Sequence, residues 1–106
     1  MIQVSYEREA HRLTAKGHAQ SAAKGQDLIC AAVSILLFTL AQSIYDLNEK
    51  GLLTEHVVKL EPGDAELSCN GEYKRCYKMM FDTVCNGFRL LAEDYPDNVI
   101  FLEVEG

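Results

Sequence analysis

The chain has 106 residues, of which 48% are hydrophobic and 25% are charged, and its formal net charge is -6 at pH 7. This length and composition predict a single globular domain, residues 1–106, with enough apolar mass for one modest core. The negative charge argues against direct nucleic acid binding, because it repels the phosphate backbone. It suits a basic protein partner, although it is explained more simply as an aid to solubility.

The N-terminal segment predicts a β-hairpin. Apolar and polar residues alternate over residues 2–7, which indicates a strand with one buried face. Residues 12–18 predict a second, less regular strand with Leu13 and Ala15 on one face, and the polar residues 9–11 predict the turn between them. The segment lacks the basic region and apolar run of a signal peptide, so we expect a cytoplasmic protein.

A loop and a long helix are predicted next. Residues 19–26 are small, polar and glycine-containing, and we expect this loop to be mobile because it offers little to bury. Asp27 is expected to cap a helix that continues to about Asn48. Apolar residues occupy nearly every face of its first turns, which predicts burial on several sides or packing against a second subunit. The apolar run 28–41 is too short to span a bilayer, so we expect no membrane contact.

The second half of the chain predicts a hairpin, a helix and a last strand. Residues 55–60 and 65–69 read as strands, and the Pro-Gly pair within residues 61–64 predicts a tight turn between them. A helix is predicted over residues 73–95 and a strand over residues 99–104. The predicted apolar stripe of that helix is Met79, Met80, Val84, Phe88 and Leu91. The order β-β-α-β-β-α-β predicts an α+β domain, with two helices packed on a mostly antiparallel sheet.

The cysteines follow no metal-binding or disulfide pattern. The chain contains four of them at irregular spacing: Cys30, Cys69, Cys76 and Cys85. Without a C-x-x-C or a paired Cys/His knuckle, we expect no structural zinc and no other cofactor. A reducing cytoplasm also disfavours disulfides, so the last three are expected to be small buried hydrophobes. His11 and His56 are expected to be solvated side chains, because neither has a nucleophile nearby in the sequence.

His18 and Cys30 are candidates for a nucleophilic pair. The imidazole is expected at the end of a strand and the thiol just inside the start of a helix, where the helix dipole favours the thiolate. The intervening loop is long enough to bring the two together, and a cysteine with an adjacent histidine can perform nucleophilic catalysis. Asp27 could either cap the amide of Cys30 or orient His18 as a third triad member; we favour the cap.

Other residues around this pair have two interpretations each. Ser34 lies four residues after Cys30 on the same helix face, where its hydroxyl could hold His18 or substrate, or could bond back to the helix backbone. Gly17 could leave room for a substrate backbone, or it could mark the end of the strand. Leu28 and Ile29 could receive an apolar substrate side chain, although core packing is the favoured interpretation.

The segments 17–19 and 25–34 resemble the signature of the ribosomal-processing cysteine protease Prp family. The motifs G-H and D-x-x-C-A-x-V-S agree with that signature in residue type and in the gap between them, and the predicted element order matches along the whole chain. The resemblance implies a homodimeric bacterial cysteine endopeptidase. Its expected substrate is the precursor of a large-subunit ribosomal protein near the peptidyl-transferase centre, from which it removes a short N-terminal extension.

The resemblance also implies a role for each motif residue. Cys30 would be the nucleophile and His18 its general base, with Asp27, Ser34 and Gly17 at supporting positions. Amides at the helix start, including that of Cys30, could hold the oxyanion. Two other functions stay open: a non-catalytic ribosome-associated binding module, and a thiol redox sensor, which would need a resolving cysteine near Cys30.

Overall fold

A computed structural model describes residues 1–18 and 26–106, and for Gln26 and Asp27 it describes the backbone alone. Five strands and two helices follow one another in the expected order, which confirms the α+β fold class. The elements are β1 (Ile2–Glu7), β2 (Arg12–Lys16), α1 (Gln26–Glu49), β3 (Glu55–Glu61), β4 (Asp64–Asn70), α2 (Lys74–Asp94) and β5 (Val99–Val104). The loop expected to be mobile lies mostly outside the described residues.

The sheet has the strand order β3-β4-β2-β1-β5. All neighbouring strands are antiparallel except β1 and β5, which run parallel. Helix α2 provides the crossover connection from β4 to β5 that this arrangement requires. Buried and exposed residues alternate along the strands, so that one face of the sheet is buried, and both helices pack on that face. The most buried strand residues are Ile2, Val4, Tyr6, Leu13, Ala15, Ala65, Leu67, Cys69 and Val99.

The register between β2 and β4 decides what surrounds the end of β2. Ala15 pairs with Ala65 and Lys16 pairs with Asp64, so the C-terminal end of β2 lies beside the β3–β4 turn. The expectation that this strand continues through residue 18 is wrong, because β2 ends at Lys16. Gly17 follows with a φ of +102°, and this left-handed conformation takes the chain out of the ladder.

Helix α1 is buried on one side only. Ile29, Val33, Leu37, Leu40 and Ile44 belong to the core, at the spacing of a single helix face. The favoured interpretation of Ile29 as a core residue is therefore confirmed, whereas the same interpretation of Leu28 is wrong, because Leu28 lies on the outer side of the helix and is 76% exposed. The expectation that this segment is too short to span a bilayer is wrong, because the helix continues beyond residue 41. Over Leu28–Glu49 it is long and apolar enough to cross a membrane, judged by length and composition alone. Core helices can meet the same criteria, and one side of α1 packs against α2, β3 and β4.

Helix α2 presents a different stripe to the core from the one predicted. Its buried residues are Tyr77, Phe81, Val84, Cys85 and Phe88. Val84 and Phe88 were expected, whereas Met79 was expected in the core and is 64% exposed. The prediction followed the methionines, but the buried face is fixed by the aromatic side chains, because Phe81 stacks on Tyr6 of β1 with ring centroids 5.3 Å apart.

Two further expectations about single residues are wrong. His11 is only 1% exposed, with a φ of +51°, because the hairpin turn folds its ring under the sheet against Tyr77. Cys76 is exposed rather than buried, since it lies in the first turn of α2 on the solvent side, whereas Cys69 and Cys85 are buried as expected. His56 is half-buried and meets the ring of Tyr45 edge-on.

Candidate active site

A cavity of about 430 Å³ opens between the start of α1 and the sheet, and both candidate catalytic residues line it. His18 reaches it from the segment after β2, and Cys30 reaches it from α1. Much of the remaining wall is apolar: Ile2, Ala15, Val33, Leu37, Phe38, Leu60 and Pro62. A thiol and an imidazole on one apolar cavity are the components that nucleophilic attack on an acyl group requires.

One face of helix α1 lines the cavity. Cys30, Val33, Ser34 and Leu37 follow at spacings of three and four residues, so their side chains point the same way. Cys30 and Ser34 are both half-buried, which leaves the thiol accessible from the cavity. Ser34 therefore lies one helical turn from the thiol, within the same wall.

The observed start of α1 changes the expected roles of its first turn. The helix begins at Gln26, so Asp27 lies inside the first turn rather than at the capping position, and its side chain is outside the described part of the chain. The amide of Cys30 is then the fifth of the helix and donates to the carbonyl of Gln26. Only the amides before Cys30 are left free, which disfavours its own amide as an oxyanion donor.

The segment after β2 is held by backbone contacts on both sides. The amide of Gly17 donates to the carbonyl of Gly63 at 3.0 Å, and the N-terminal ammonium group of Met1 donates to the carbonyl of His18 at 2.9 Å. A side chain on Gly17 would collide with the carbonyl oxygen of Met1. Gly17 thus marks the strand end, and its missing side chain leaves room for the carbonyl group of Met1.

The β3–β4 turn forms the wall beside His18. Residues 60–65 line the cavity, and Gly63 lies directly against the imidazole ring. Asp64 follows it and accepts hydrogen bonds from Lys16 and from Lys59, the latter at 2.7 Å. These two ammonium groups lower the pKa of Asp64 to about 2, so the carboxylate stays ionised and ties three strands together next to the site.

Sequence reasoning missed this turn as part of the site. Pro62 and Gly63 indicated a turn, but a turn signal does not say which other segment the turn meets. The position follows from the β2–β4 register, which joins segments about fifty residues apart in the chain. No group of three His, Cys, Asp or Glu side chains within residues 1–18 and 26–106 is placed to hold a metal ion.

Comparison with known proteins gives this geometry a family context. The family model described as "Cysteine protease Prp" matches residues 1–100. A 28-residue stretch is 64% identical to the "Ribosomal processing cysteine protease Prp" of Mycoplasma pneumoniae. That stretch covers 26% of this chain and 28% of the Mycoplasma protein, so this alignment extends over about a quarter of either protein.

Solved structures share the whole fold. A Streptococcus mutans protein superposes with a TM-score of 0.74 at 22% identity, over 98% of this chain and 97% of its own. The ribosomal processing protease Prp from S. aureus gives TM-scores of 0.71 in complex with a covalently linked product peptide and 0.73 in complex with a substrate peptide. These S. aureus chains are 18% and 16% identical, and the matches cover 96% of each chain. At these identities the likeness shows the common fold.

Proposed function

Because this chain belongs to the cysteine protease Prp family, we propose that it is a cysteine endopeptidase that processes a ribosomal protein. The proposed substrate is the precursor of a large-subunit ribosomal protein, and the product is that protein without its N-terminal extension. The observation that carries the proposal is the shared cavity, in which the thiol of Cys30 and the imidazole of His18 lie against an apolar wall. The S. aureus relative binds a substrate peptide and a covalently linked product peptide.

The proposed chemistry uses the two side chains in turn. The His18 imidazole accepts the proton of the Cys30 thiol, and the sulfur attacks the carbonyl carbon of the scissile peptide bond. The tetrahedral intermediate collapses as the C–N bond breaks, and His18 donates its proton to the leaving amine. His18 then accepts a proton from water, and the hydroxide attacks the thioester. The C–S bond breaks, His18 returns the proton to the Cys30 sulfur, and the product leaves with a new carboxyl terminus.

Supporting roles fall to residues of the same wall. Ser34 is within one helical turn of Cys30 and can donate a hydrogen bond to substrate or to His18. Gly17 fixes where the chain leaves β2 and so where His18 begins. The backbone of Asp27 lies in the first turn of α1, a position at which acidic residues are generally favourable for the helix dipole. Phe38 and Leu60, which are partly exposed, offer apolar surface to a substrate side chain.

Cleavage of the precursor tests the proposal. Purified protein is mixed with the ribosomal protein precursor of the same organism, and the products are identified by intact mass. We expect wild type to cut at one site, Cys30→Ala to be inactive, and His18→Ala to lose about 10²–10⁴-fold in rate, the usual contribution of a general acid–base group. Cys76→Ala and His56→Ala change the same residue types outside the cavity and should leave the rate unchanged.

The outcomes separate the proposed protease from the two other functions. No cleavage by wild type, with precursor binding retained in Cys30→Ala and His18→Ala, would support a binding module instead. A redox sensor would show a disulfide between Cys30 and a second cysteine after mild oxidation. None of the other three cysteines lines the cavity with Cys30, and burial raises the pKa of Cys69 to about 11 and that of Cys85 to about 12.

The proposal includes a homodimer formed through the outer face of α1. Leu28, Ile35, Phe38 and Tyr45 form an exposed stripe along this helix, and the first two are 76% and 60% exposed. Such a stripe is costly in water and typical of a contact surface. Ile35→Glu should shift the mass in sedimentation equilibrium from dimer to monomer. The matched variant Val57→Glu, on the outer face of the sheet, should leave the mass unchanged.

We also propose that the protein acts in the cytoplasm without binding membranes or nucleic acid. The core side of α1 packs against the sheet and α2, and the net charge of -6 repels phosphate groups. Fractionation of cells that produce the protein should recover it from the soluble fraction after high-speed centrifugation. Gel-shift titration with ribosomal RNA fragments should give no retarded band at physiological salt.

A further inference from the structure

The turn between β3 and β4 lies closer to His18 than an ordinary side chain would permit. Gly63 has a φ of +72°, and a Cβ atom built on it would overlap Nε2 and Cε1 of the imidazole. The carbonyl of the same residue accepts the hydrogen bond from the Gly17 amide at 3.0 Å. One glycine therefore contacts both the side chain of His18 and the backbone just before it.

This contact restricts an otherwise exposed side chain. His18 lies two residues past the end of β2 and is solvent-exposed, so the sheet ladder does not hold it. A general base must be kept at hydrogen-bonding reach of the thiol whose proton it takes. The Gly63 backbone lies against the ring, and Asp64 with its two lysine partners anchors the turn to β2 and β3.

We propose that Gly63 is a positioning residue for His18: the missing side chain lets the imidazole rest on the turn, in the orientation that faces the cavity. The inference rests on the proposed function only in giving His18 a catalytic task, since the contact itself exists without substrate. A methyl group at this position would displace the ring from the turn. The base would then be present in the active site but misplaced relative to Cys30.

The chain offers a matched control for this substitution. Gly51, which follows α1, has a φ of +73°, and nothing lies within 4 Å of the position its Cβ would take. Alanine at Gly51 and alanine at Gly63 therefore carry the same backbone strain. They differ in the contact with His18, which only the second disturbs. Any loss of stability or activity in Gly63→Ala beyond that in Gly51→Ala is therefore due to the contact with His18.

The test is a double-mutant cycle with three readouts. Gly63→Ala and Gly51→Ala are each made in wild type and in His18→Ala, and the melting temperature of all variants is measured. We expect Gly63→Ala to lower it only slightly more than Gly51→Ala in wild type, because the exposed imidazole can turn away from the added methyl group. In the His18→Ala background the two glycine variants should melt alike, because the ring is gone.

The second and third readouts concern the imidazole itself. In NMR spectra the His18 ring signals should move in Gly63→Ala and stay at the wild-type positions in Gly51→Ala. Cleavage of the precursor should fall at least tenfold in Gly63→Ala and less than twofold in Gly51→Ala, measured where both are folded.

Distinct results would overturn the inference and the proposed function. If Gly63→Ala keeps wild-type His18 signals and the additional melting loss persists without the imidazole, Gly63 does not position His18, whatever the cleavage rate. If wild type fails to cleave while the cycle shows the expected coupling, the proposed protease is overturned and the contact between Gly63 and His18 is supported. If Gly63→Ala does not fold, Gly63→Ala in the His18→Ala background should fold, and a failure of both refutes the inference.

Discussion

Two residues of α2, two positions apart, give a quantitative test of the fold, because one is in the core and the other is not. Phe81 is fully buried and stacks on Tyr6, whereas Met79 is 64% exposed. The sequence pattern placed Met79 in the core stripe and left Phe81 out. Truncating each side chain to alanine therefore separates the predicted stripe from the observed one.

The expected magnitudes differ by several-fold. A buried phenylalanine truncated to alanine costs about 3–5 kcal/mol, which includes the cavity that remains. The lost stacking on Tyr6 favours the upper half of that range, since aromatic pairs contribute about 0.5–1.5 kcal/mol beyond their burial. Met79→Ala removes an exposed side chain and should cost within about 0.5 kcal/mol. A domain of this size has a free energy of unfolding of about 5–15 kcal/mol, so Phe81→Ala should stay measurable.

Urea unfolding, monitored by circular dichroism, gives the loss of stability of Phe81→Ala and of Met79→Ala. Phe81→Leu, which retains part of the side chain, should fall between wild type and Phe81→Ala. Neither Phe81 nor Met79 lines the cavity, so the cleavage rate of the folded fraction should be unchanged in all three variants. Equal losses of stability for Phe81→Ala and Met79→Ala, or a larger loss for Met79→Ala, would refute the observed orientation of α2.

Three further predictions concern titrating and reactive groups. Burial lowers the pKa of His11 below its ordinary 6.5, so the unfolded chain binds a proton before the folded protein does and stability should decline as pH falls below about 6.5. His11→Asn should lack this decline in urea midpoints, and an identical pH profile would contradict the assignment. The pKa of Asp64 is about 2, against 3.8 ordinarily, so stability present above pH 3.8 should be lost towards pH 2, and Asp64→Asn should lack this part of the slope. Iodoacetamide should label Cys76 rapidly in the folded protein and reach the buried Cys69 and Cys85 only after unfolding, as mass spectrometry would show; labelling of all three at equal rates would contradict their burial.

The element order and the catalytic candidates could be predicted from local pattern. Alternation with period two and helical spacing are set by the backbone geometry of each element, so they are visible in the residues themselves. The motif around His18 and Cys30 indicated both residues and the family, and the family match is confirmed over residues 1–100. That the two residues act as a catalytic pair stays a prediction.

Other properties depended on contacts between distant segments. Met79 and Phe81 are both apolar, and only the packing of α2 on β1 decides which one is buried. His11 is polar and next to a turn, yet the hairpin folds its ring against Tyr77. In each case the local composition fits two arrangements with similar local energy, and burial against a partner far along the chain selects one.

The sequence by itself determined the order of the elements and indicated the two residues of the proposed chemistry, because the elements follow from periodicity and the two residues from a motif. The tertiary structure alone decided what surrounds His18. The antiparallel register of β2 and β4 brings Gly63 to Gly17 and the imidazole, although some forty-five residues separate them. Strand register is fixed by the burial of a whole sheet face, which is a property of all five strands together and of no single segment.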